Sequence, residues 1–385
     1  MYQTPRLALE GERFTAAYQI RGTRRRALET AREICIEQTV EYPDELIRRP
    51  DIREQIIGDV TRFEALDDQT FQAEIAFPIE VAGEELPQLL NVLFGNISLK
   101  PEIRLVGIDL PRALSRFFRG PRYGRNGLRE RVRVPARPLL ATALKPMGLS
   151  PQELAQLAYQ FALSGIDMIK DDHGLANQVF STFDERVARC SDAVNRANRE
   201  TGLSCIYLPN ITSRADQVME RAETARDSGA GGLLICPGLT GYDTMRAVAD
   251  DDSIALPILC HPAMQGAFTT HRGSGIAHGV LYGQINRLAG ADGAIFPNYG
   301  GRFSFSEGEC RDLLDGTLRP MGEIKPIFPV PAGGMSLERI PEIVAFYGDD
   351  VILLIGGDLH RRGLDLSHSC REFLQMVSRP SSNTI

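Results

Sequence analysis

The chain has 385 residues, with 43 Lys and Arg against 50 Asp and Glu, and a formal net charge of −7. Hydrophobic residues make up 43% and charged residues 24%. That is the balance of a globular protein with a full core, so extensive disorder is excluded and a nucleic-acid partner is not expected. No uncharged apolar run approaches the ~18 residues of a membrane helix, and the opening MYQTPRLALEGERF lacks the pattern of a secretory leader. A cytoplasmic, membrane-free protein is expected. The Cys at 35, 190, 205, 236, 260, 310 and 370 form no CxxC pair, which predicts buried reduced thiols rather than a zinc site.

The first third mixes strands and helices. RFTAAYQIR alternates as a strand should. An apolar stripe through Ala27, Ala31 and Ile34 predicts a helix over 23–36. TFQAEIAFP (70–78) alternates again, 86–94 reads as a second helix and 102–108 as a further strand. These elements predict a smaller α+β domain over 1–125. An arginine-rich stretch with Gly and Pro follows at 115–138, and is expected to be a solvated crossover.

From 139 the rhythm becomes regular. Short apolar runs fall at 139–144, 166–170, 205–210, 232–236, 257–261, 293–297, 326–330 and 351–355. Helical segments are predicted near 151–163, 184–200, 214–228, 241–250, 276–288, 306–316, 337–346 and 363–377. Eight βα units in succession predict a parallel (β/α)8 barrel over 126–385, an α/β fold with its active site at the C-terminal strand ends. A doubly wound open sheet fits the count of eight less well. The tail SRPSSNTI is expected to be disordered.

The strand ends are therefore the residues to read. The first ends in Lys145-Pro146-Met147 and the second in Lys170-Asp171-Asp172-His173. Two lysines converging on a barrel mouth oppose each other's charge, which drives one toward the neutral amine. A neutral amine is a base, a nucleophile or a site for carbamate formation with CO2. A carbamate on Lys170 together with Asp172 would suit Mg²⁺, which prefers oxygen ligands. Gly333-Gly334 and Gly356-Gly357 follow the seventh and eighth runs, where the backbone of such barrels holds phosphate.

TALKPMGLS, GIDMIKDDHGL, CHPAMQGA, PAGGM and LIGGD together resemble the large subunit of ribulose-bisphosphate carboxylase/oxygenase (RuBisCO), most closely its form IV branch of RuBisCO-like proteins. The resemblance covers nearly the whole chain. It implies Lys145, Lys170 and His261 as catalytic residues. Lys170, Asp172 and His173 are implied as the metal site, with Mg²⁺ and a CO2-derived carbamate on Lys170. Gly333, Gly334, Gly356 and Gly357 are implied as phosphate contacts, joined by Arg302, and Asn210 and Asn298 as further substrate contacts. CIEQT and FGNIS look like segments reaching into a partner's site, which carries over Glu37 and Asn96 and implies a homodimer.

The departures argue against carbon fixation. Met147 stands where a carboxylase has a second Lys, PNYGGRFSFS carries no Lys, Pro262 replaces an Arg, and His173 replaces the Glu of the metal triad. Either Ala277 or His278 matches a family histidine position. IEQTVE and FPNYGGRFSF resemble members of branched-sugar acid catabolism. The implied activity is enolate chemistry, as decarboxylation or as carboxyl transfer and hydrolysis, on a phosphorylated β-keto sugar acid such as 3-oxo-isoapionate 4-phosphate. The alternatives are an isomerase or enolase on a methylthio-pentulose phosphate, with Met147 and Phe303 lining a thioether pocket, and a non-catalytic sugar-phosphate-binding barrel.

Overall fold

The computed structural model describes residues 6–361 and 366–378; the tail expected to be disordered lies almost wholly outside them. The N-terminal part is a twisted antiparallel sheet of β1 (Arg13–Arg21), β2 (Asp59–Ala65), β3 (Thr70–Pro78) and β4 (Ile103–Asp109). Strict alternation along β1 sends Phe14, Ala16, Tyr18 and Ile20 to one buried face. The helix Arg24–Glu37 packs Ala27, Ala31 and Ile34 into this core and is capped at its start by the Thr23 side chain, which accepts from the Arg26 N–H. β2 and the short helix Pro50–Gln55 were not anticipated. Neither carries a clean apolar period: β2 is mostly exposed and lies at the sheet edge.

The barrel strands are β5 (Leu139–Leu144), β6 (Met168–Asp171), β7 (Ile206–Leu208), β8 (Leu233–Ile235), β9 (Ile258–Cys260), β11 (Gly293–Pro297), β12 (Phe328–Ala332) and β13 (Ile352–Leu354). Parallel ladders join them in two arcs of four, β13-β5-β6-β7 and β8-β9-β11-β12. The bridge Asn210↔Leu234 links the arcs on one side, and β12 lies against β13 on the other. The remaining strand, β10 (Gly275–Ile276), leaves the loop after β9 and pairs with β4 at Arg104 and Leu105. That pairing stitches the barrel rim to the N-terminal sheet.

The barrel interior is a small apolar core that includes Leu139, Met168, Leu208, Leu259, Val330 and Leu354. Its lower end is closed by Leu128 and Val132 of the helix Gly124–Val132. The arginine-rich stretch is therefore not a solvated crossover. Its guanidiniums find fixed partners: Arg122 with Asp252, Arg125 and Arg129 with Asp350, and Arg137 with Asp167. A second correction concerns 276–288. Its middle, Gly279–Ile285, is a π-helix, wholly buried, with Gly283 so close to Gly316 that an added Cβ would lie 2.3 Å from the Gly316 carbonyl carbon.

All seven cysteines are buried and unpaired. No helix among the described residues is long and apolar enough to cross a membrane.

Candidate active site

Side-chain parity along the strands decides what reaches the mouth. Successive residues alternate between the barrel interior and the helix layer. On β6, Met168 belongs to the interior core, so Lys170 and Asp172 continue inward and Asp171 points back. On β9, Leu259 belongs to it, so His261 follows inward. Lys145, Lys170, Asp172, His173 and His261 all line one cavity of about 770 Å³, together with Arg302 and the glycine turns Gly333-Gly334 and Gly356-Gly357.

The Lys145 ammonium lies 2.7 Å from Asp172 Oδ1, and His173 Nδ1 lies 3.5 Å from the same oxygen. Burial opposes the Asp172 charge, but hydrogen bonds from His173 and Lys145 and the charge of Lys170 hold its carboxyl well below the usual carboxylate range. Lys170 is 4% exposed and donates to the Asp171 carbonyl at 3.0 Å. Burial, opposed by Asp172 and reinforced by Lys145, pushes its pKa down to about 8.

His261 stacks flat on His173, with ring centroids 4.4 Å apart and planes 8° from parallel. Its Nδ1 accepts the Ala263 N–H at 3.2 Å, which leaves the ring proton on Nε2. Burial, then the charges of Lys170 and His173, push its pKa far down. The ring is a neutral N–H donor beside two lysines.

The two glycine turns differ in build. Gly333 and Gly334 have φ of +78° and +104°, a region that side chains disfavour. Arg302 N–H donates to the Gly333 carbonyl at 3.0 Å, and the Arg302 guanidinium lies 5.2 Å over the Phe303 ring. Gly356 runs beside Lys145, whose Cε would be 3.6 Å from an added Cβ.

Several expected contacts have other work. Asn210 is fully buried and donates to the carbonyls of His173 and Leu175, both at 3.0 Å. Asn298 is 1% exposed and accepts from the Tyr347 hydroxyl at 2.7 Å. Both asparagines lie outside the cavity lining: Asn210 holds the loop after β6, and Asn298 is tied to the end of the helix Ile340–Tyr347. Met147 also lies outside it: its tip packs against Gly174, where an added Cβ would lie 2.6 Å away. Phe303 does line the cavity. His278 is 1% exposed, with Arg104 Nη2 3.5 Å from its Nδ1, and supports the rim. Glu37 and Asn96 pair with each other at 3.1 Å on the exposed N-terminal part, away from the cavity of their own chain.

Asp171 was passed over in the sequence, although it sits between two site residues. It is fully buried and ion-paired with Arg186 at 3.0 Å. Parity along β6 was the signal available for it.

No cluster of three His, Cys, Asp or Glu among the described residues is arranged to hold a metal. The donor set still fits a hard cation in part. A carbamate on Lys170 would place a second anionic oxygen group beside Asp172, and Mg²⁺ is commonly held by one or two carboxylates plus substrate oxygens and water. His173 would add a nitrogen, the less favoured donor.

Comparison with known proteins agrees with this architecture. The family model for the ribulose bisphosphate carboxylase large chain, catalytic domain, matches residues 125–363. Ribulose bisphosphate carboxylase-like protein 1 of Rhodopseudomonas palustris is 37% identical over 367 residues, covering 95% of this chain and 98% of that protein. The 5-methylthioribulose-1-phosphate isomerase of Rhodospirillum rubrum is 39% identical over 372 residues, covering 96% and 98%. The crystal structure of the Rubisco-like protein from Rhodopseudomonas palustris superposes with a TM-score of 0.87 at 38% identity, over 97% of this chain and 99% of that one. The chain therefore belongs to the RuBisCO large-chain family, within its form IV branch of RuBisCO-like proteins.

Proposed function

We propose that the chain is an enolate-forming enzyme acting on a phosphorylated keto sugar or keto sugar acid, without carboxylase activity. The observation that carries this reading is the joining of Lys145, Lys170, Asp172 and neutral His261 in one cavity roofed by two glycine turns. Backbone N–H groups at the turns and the Arg302 guanidinium suit a phosphate. Lys145 and the His261 N–H suit a carbonyl oxygen on which negative charge develops.

In the leading form the substrate is a β-keto acid such as 3-oxo-isoapionate 4-phosphate. The bond to the carboxylate carbon breaks, CO2 leaves, and the electron pair becomes the enolate that Lys145 and His261 stabilise. The α-carbon then takes a proton from a positioned acid. Transfer of the carboxylate to Lys170 followed by hydrolysis is the related outcome. The absence of a lysine from the loop after β11 supports a reaction that releases CO2 rather than captures it. A divalent cation held by carbamylated Lys170, Asp172 and His173 would supply Lewis-acid stabilisation of the same oxygen. The depressed Lys170 pKa favours the neutral amine that carbamate formation needs.

The second reading is proton transfer on a methylthio-pentulose phosphate. The names of relatives favour it, the Rhodospirillum rubrum isomerase and the 2,3-diketo-5-methylthiopentyl-1-phosphate enolase of Geobacillus kaustophilus, 33% identical over 290 residues. An apolar wall of Tyr282, Phe303, Phe305 and Met335 suits a thioether. In both readings the active unit is a homodimer, with Glu37 and Asn96 facing the partner's cavity.

Phosphorus and proton NMR of the protein with 3-oxo-isoapionate 4-phosphate, Mg²⁺ and bicarbonate tests the first form. CO2 loss abolished by Lys145→Ala supports it. Isomerisation or deuterium exchange of a methylthioribulose phosphate instead selects the second. Phosphate-ester binding with no turnover of either compound selects a non-catalytic binding barrel.

A further inference from the structure

The loop after β6, residues 172–182, begins with Asp172 and His173 and then crosses the barrel rim to the helix Phe183–Thr201. Its backbone carbonyls do not pair with one another in a regular element. The loop holds three of them itself, Gly174's through Gln178 Nε2 and those of Asp172 and Gln178 through the N–H groups of Leu175 and Ser181, while others converge on two buried side chains. Arg186 Nη2 donates to the Ala176 carbonyl at 2.7 Å and Nη1 to the Ser181 carbonyl at 3.0 Å. Asn210 Nδ2 donates to the His173 and Leu175 carbonyls, each at 3.0 Å.

Both residues are fastened to one carboxylate, Arg186 through its side chain and Asn210 through its backbone N–H. Asp171 Oδ2 accepts Arg186 Nε and the Asn210 backbone N–H, both at 3.0 Å, and Oδ1 accepts the Tyr207 hydroxyl at 2.7 Å. Arg186 and Asp171 are both fully buried. An ion pair this deep costs desolvation, and a pair of packed apolar residues would often serve stability as well. What apolar residues could not supply is a grip on five carbonyls of one loop, those of His173, Leu175, Ala176, Ser181 and Thr182. Asp171 is also the residue between Lys170 and Asp172, so the anchor and the site share three consecutive positions of the chain.

We propose that Arg186, anchored on Asp171 and assisted by Asn210, is the positioning residue that fixes the loop presenting Asp172 and His173 to the cavity. The proposal rests on reading that cavity as catalytic. Arg186 is not among the residues that line the cavity, so it acts through the loop.

Arg186→Met, Arg186→Lys and Asn210→Ala test it with three readouts: hydrogen exchange of peptides covering 172–182, binding of inorganic phosphate, and steady-state turnover. In Arg186→Met and Asn210→Ala, exchange in 172–182 should rise at least tenfold while the barrel-floor helix Gly124–Val132 stays protected. Phosphate affinity should stay within twofold, because the glycine turns follow β12 and β13. The value of kcat should fall about 100-fold with KM little changed, the cost expected of a displaced catalytic group. Arg186→Lys should recover part of the loss.

Exchange that rises equally over the whole barrel, or that leaves 172–182 unchanged, would overturn the proposal, as would local loosening with unaltered kcat. Should Arg186→Met not fold, Asn210→Ala decides, since it keeps the Asp171–Arg186 pair. A wild-type protein that turns over neither substrate class sinks the catalytic reading, while the exchange measurement still decides whether Arg186 fixes the loop.

Discussion

The Lys145 ammonium lies 2.7 Å from the Asp172 carboxylate, tying the end of β5 to the end of β6 at the cavity wall. This pair is the only ion pair of Lys145 among the described residues. Removing the ammonium leaves Asp172 with His173 and Lys170 and takes one cation from the carbonyl oxygen. Lys145→Met should therefore lower kcat by about 10²–10³-fold. Unfolding midpoints should move less than the rate, because the Lys145 side chain is partly exposed and Asp172 keeps His173 and the charge of Lys170 beside it. Steady-state rates and thermal melts on one preparation check both halves.

Lys170 gives a pH prediction with a definite sign. Its folded pKa is about 8 against an ordinary 10.5, so between those values the unfolded chain binds the extra proton and stability rises with pH. The penalty is complete below pH 8 and gone above about 10.5, and amounts to about 3 kcal/mol. Lys170→Met should thus be more stable than the parent near pH 7 by about 1–3 kcal/mol, with the difference vanishing above about pH 10.5. Urea unfolding at pH 7 and 10.5 measures this. The same substitution should abolish turnover, and the parent's rate should climb with pH toward 8 as the neutral amine forms.

How much of this was written in the sequence depends on the kind of signal. The eight apolar runs matched eight parallel strands because buried strands need continuous Val, Ile and Leu. Lys145, Lys170, Asp172, His173, His261 and the glycine pairs were found because they end those runs, and the structure brings them to one cavity. Asn210 and Asn298 end runs too, yet the Asn210 amide is taken up by the loop after β6 and the Asn298 amide oxygen by the Tyr347 hydroxyl. Position along a strand says which end a residue occupies, but not which polar group reaches it first. The arginine-rich stretch was misread for the same reason: composition shows its charge, whereas its partners Asp252, Asp350 and Asp167 are more than a hundred residues away for the first two and 30 for the third.

His173 tests the metal site. If a divalent cation is held by Lys170 and Asp172, a third oxygen donor in place of imidazole should strengthen it, because Mg²⁺ prefers oxygen. His173→Glu should tighten Mg²⁺ about tenfold in calorimetric titrations run with bicarbonate. It would also remove the flat stack on His261, so turnover should fall even as the metal binds better. Unchanged or weaker Mg²⁺ binding would overturn a cation site at these residues.

Gly334 separates phosphate binding from chemistry. At φ +104° an added Cβ would lie 2.9 Å from the Arg302 nitrogen, on the segment that hooks to the Gly333 carbonyl. Gly334→Ala should push the Arg302 loop off the turn. KM for a phosphorylated substrate should rise at least tenfold with kcat less affected, the mark of lost uniform binding. Strain at such a position costs about 1–3 kcal/mol, so a modest drop in melting temperature is also expected.

Glu37 and Asn96 point to the assembly. They form an exposed 3.1 Å pair on the N-terminal part and do not line the cavity of their own chain. The family resemblance implies that this pair completes the cavity of a second copy, through an isologous contact that makes two equivalent sites. Asn96→Ala and Lys170→Met should each be inactive alone. Refolded together at equal concentration, the two variants should recover about a quarter of parental activity, because half of the dimers are mixed and each mixed dimer holds one intact site. Light scattering that finds an active monomer, or mixing that recovers nothing while each variant still dimerises, would leave Asn96 with a role inside its own chain.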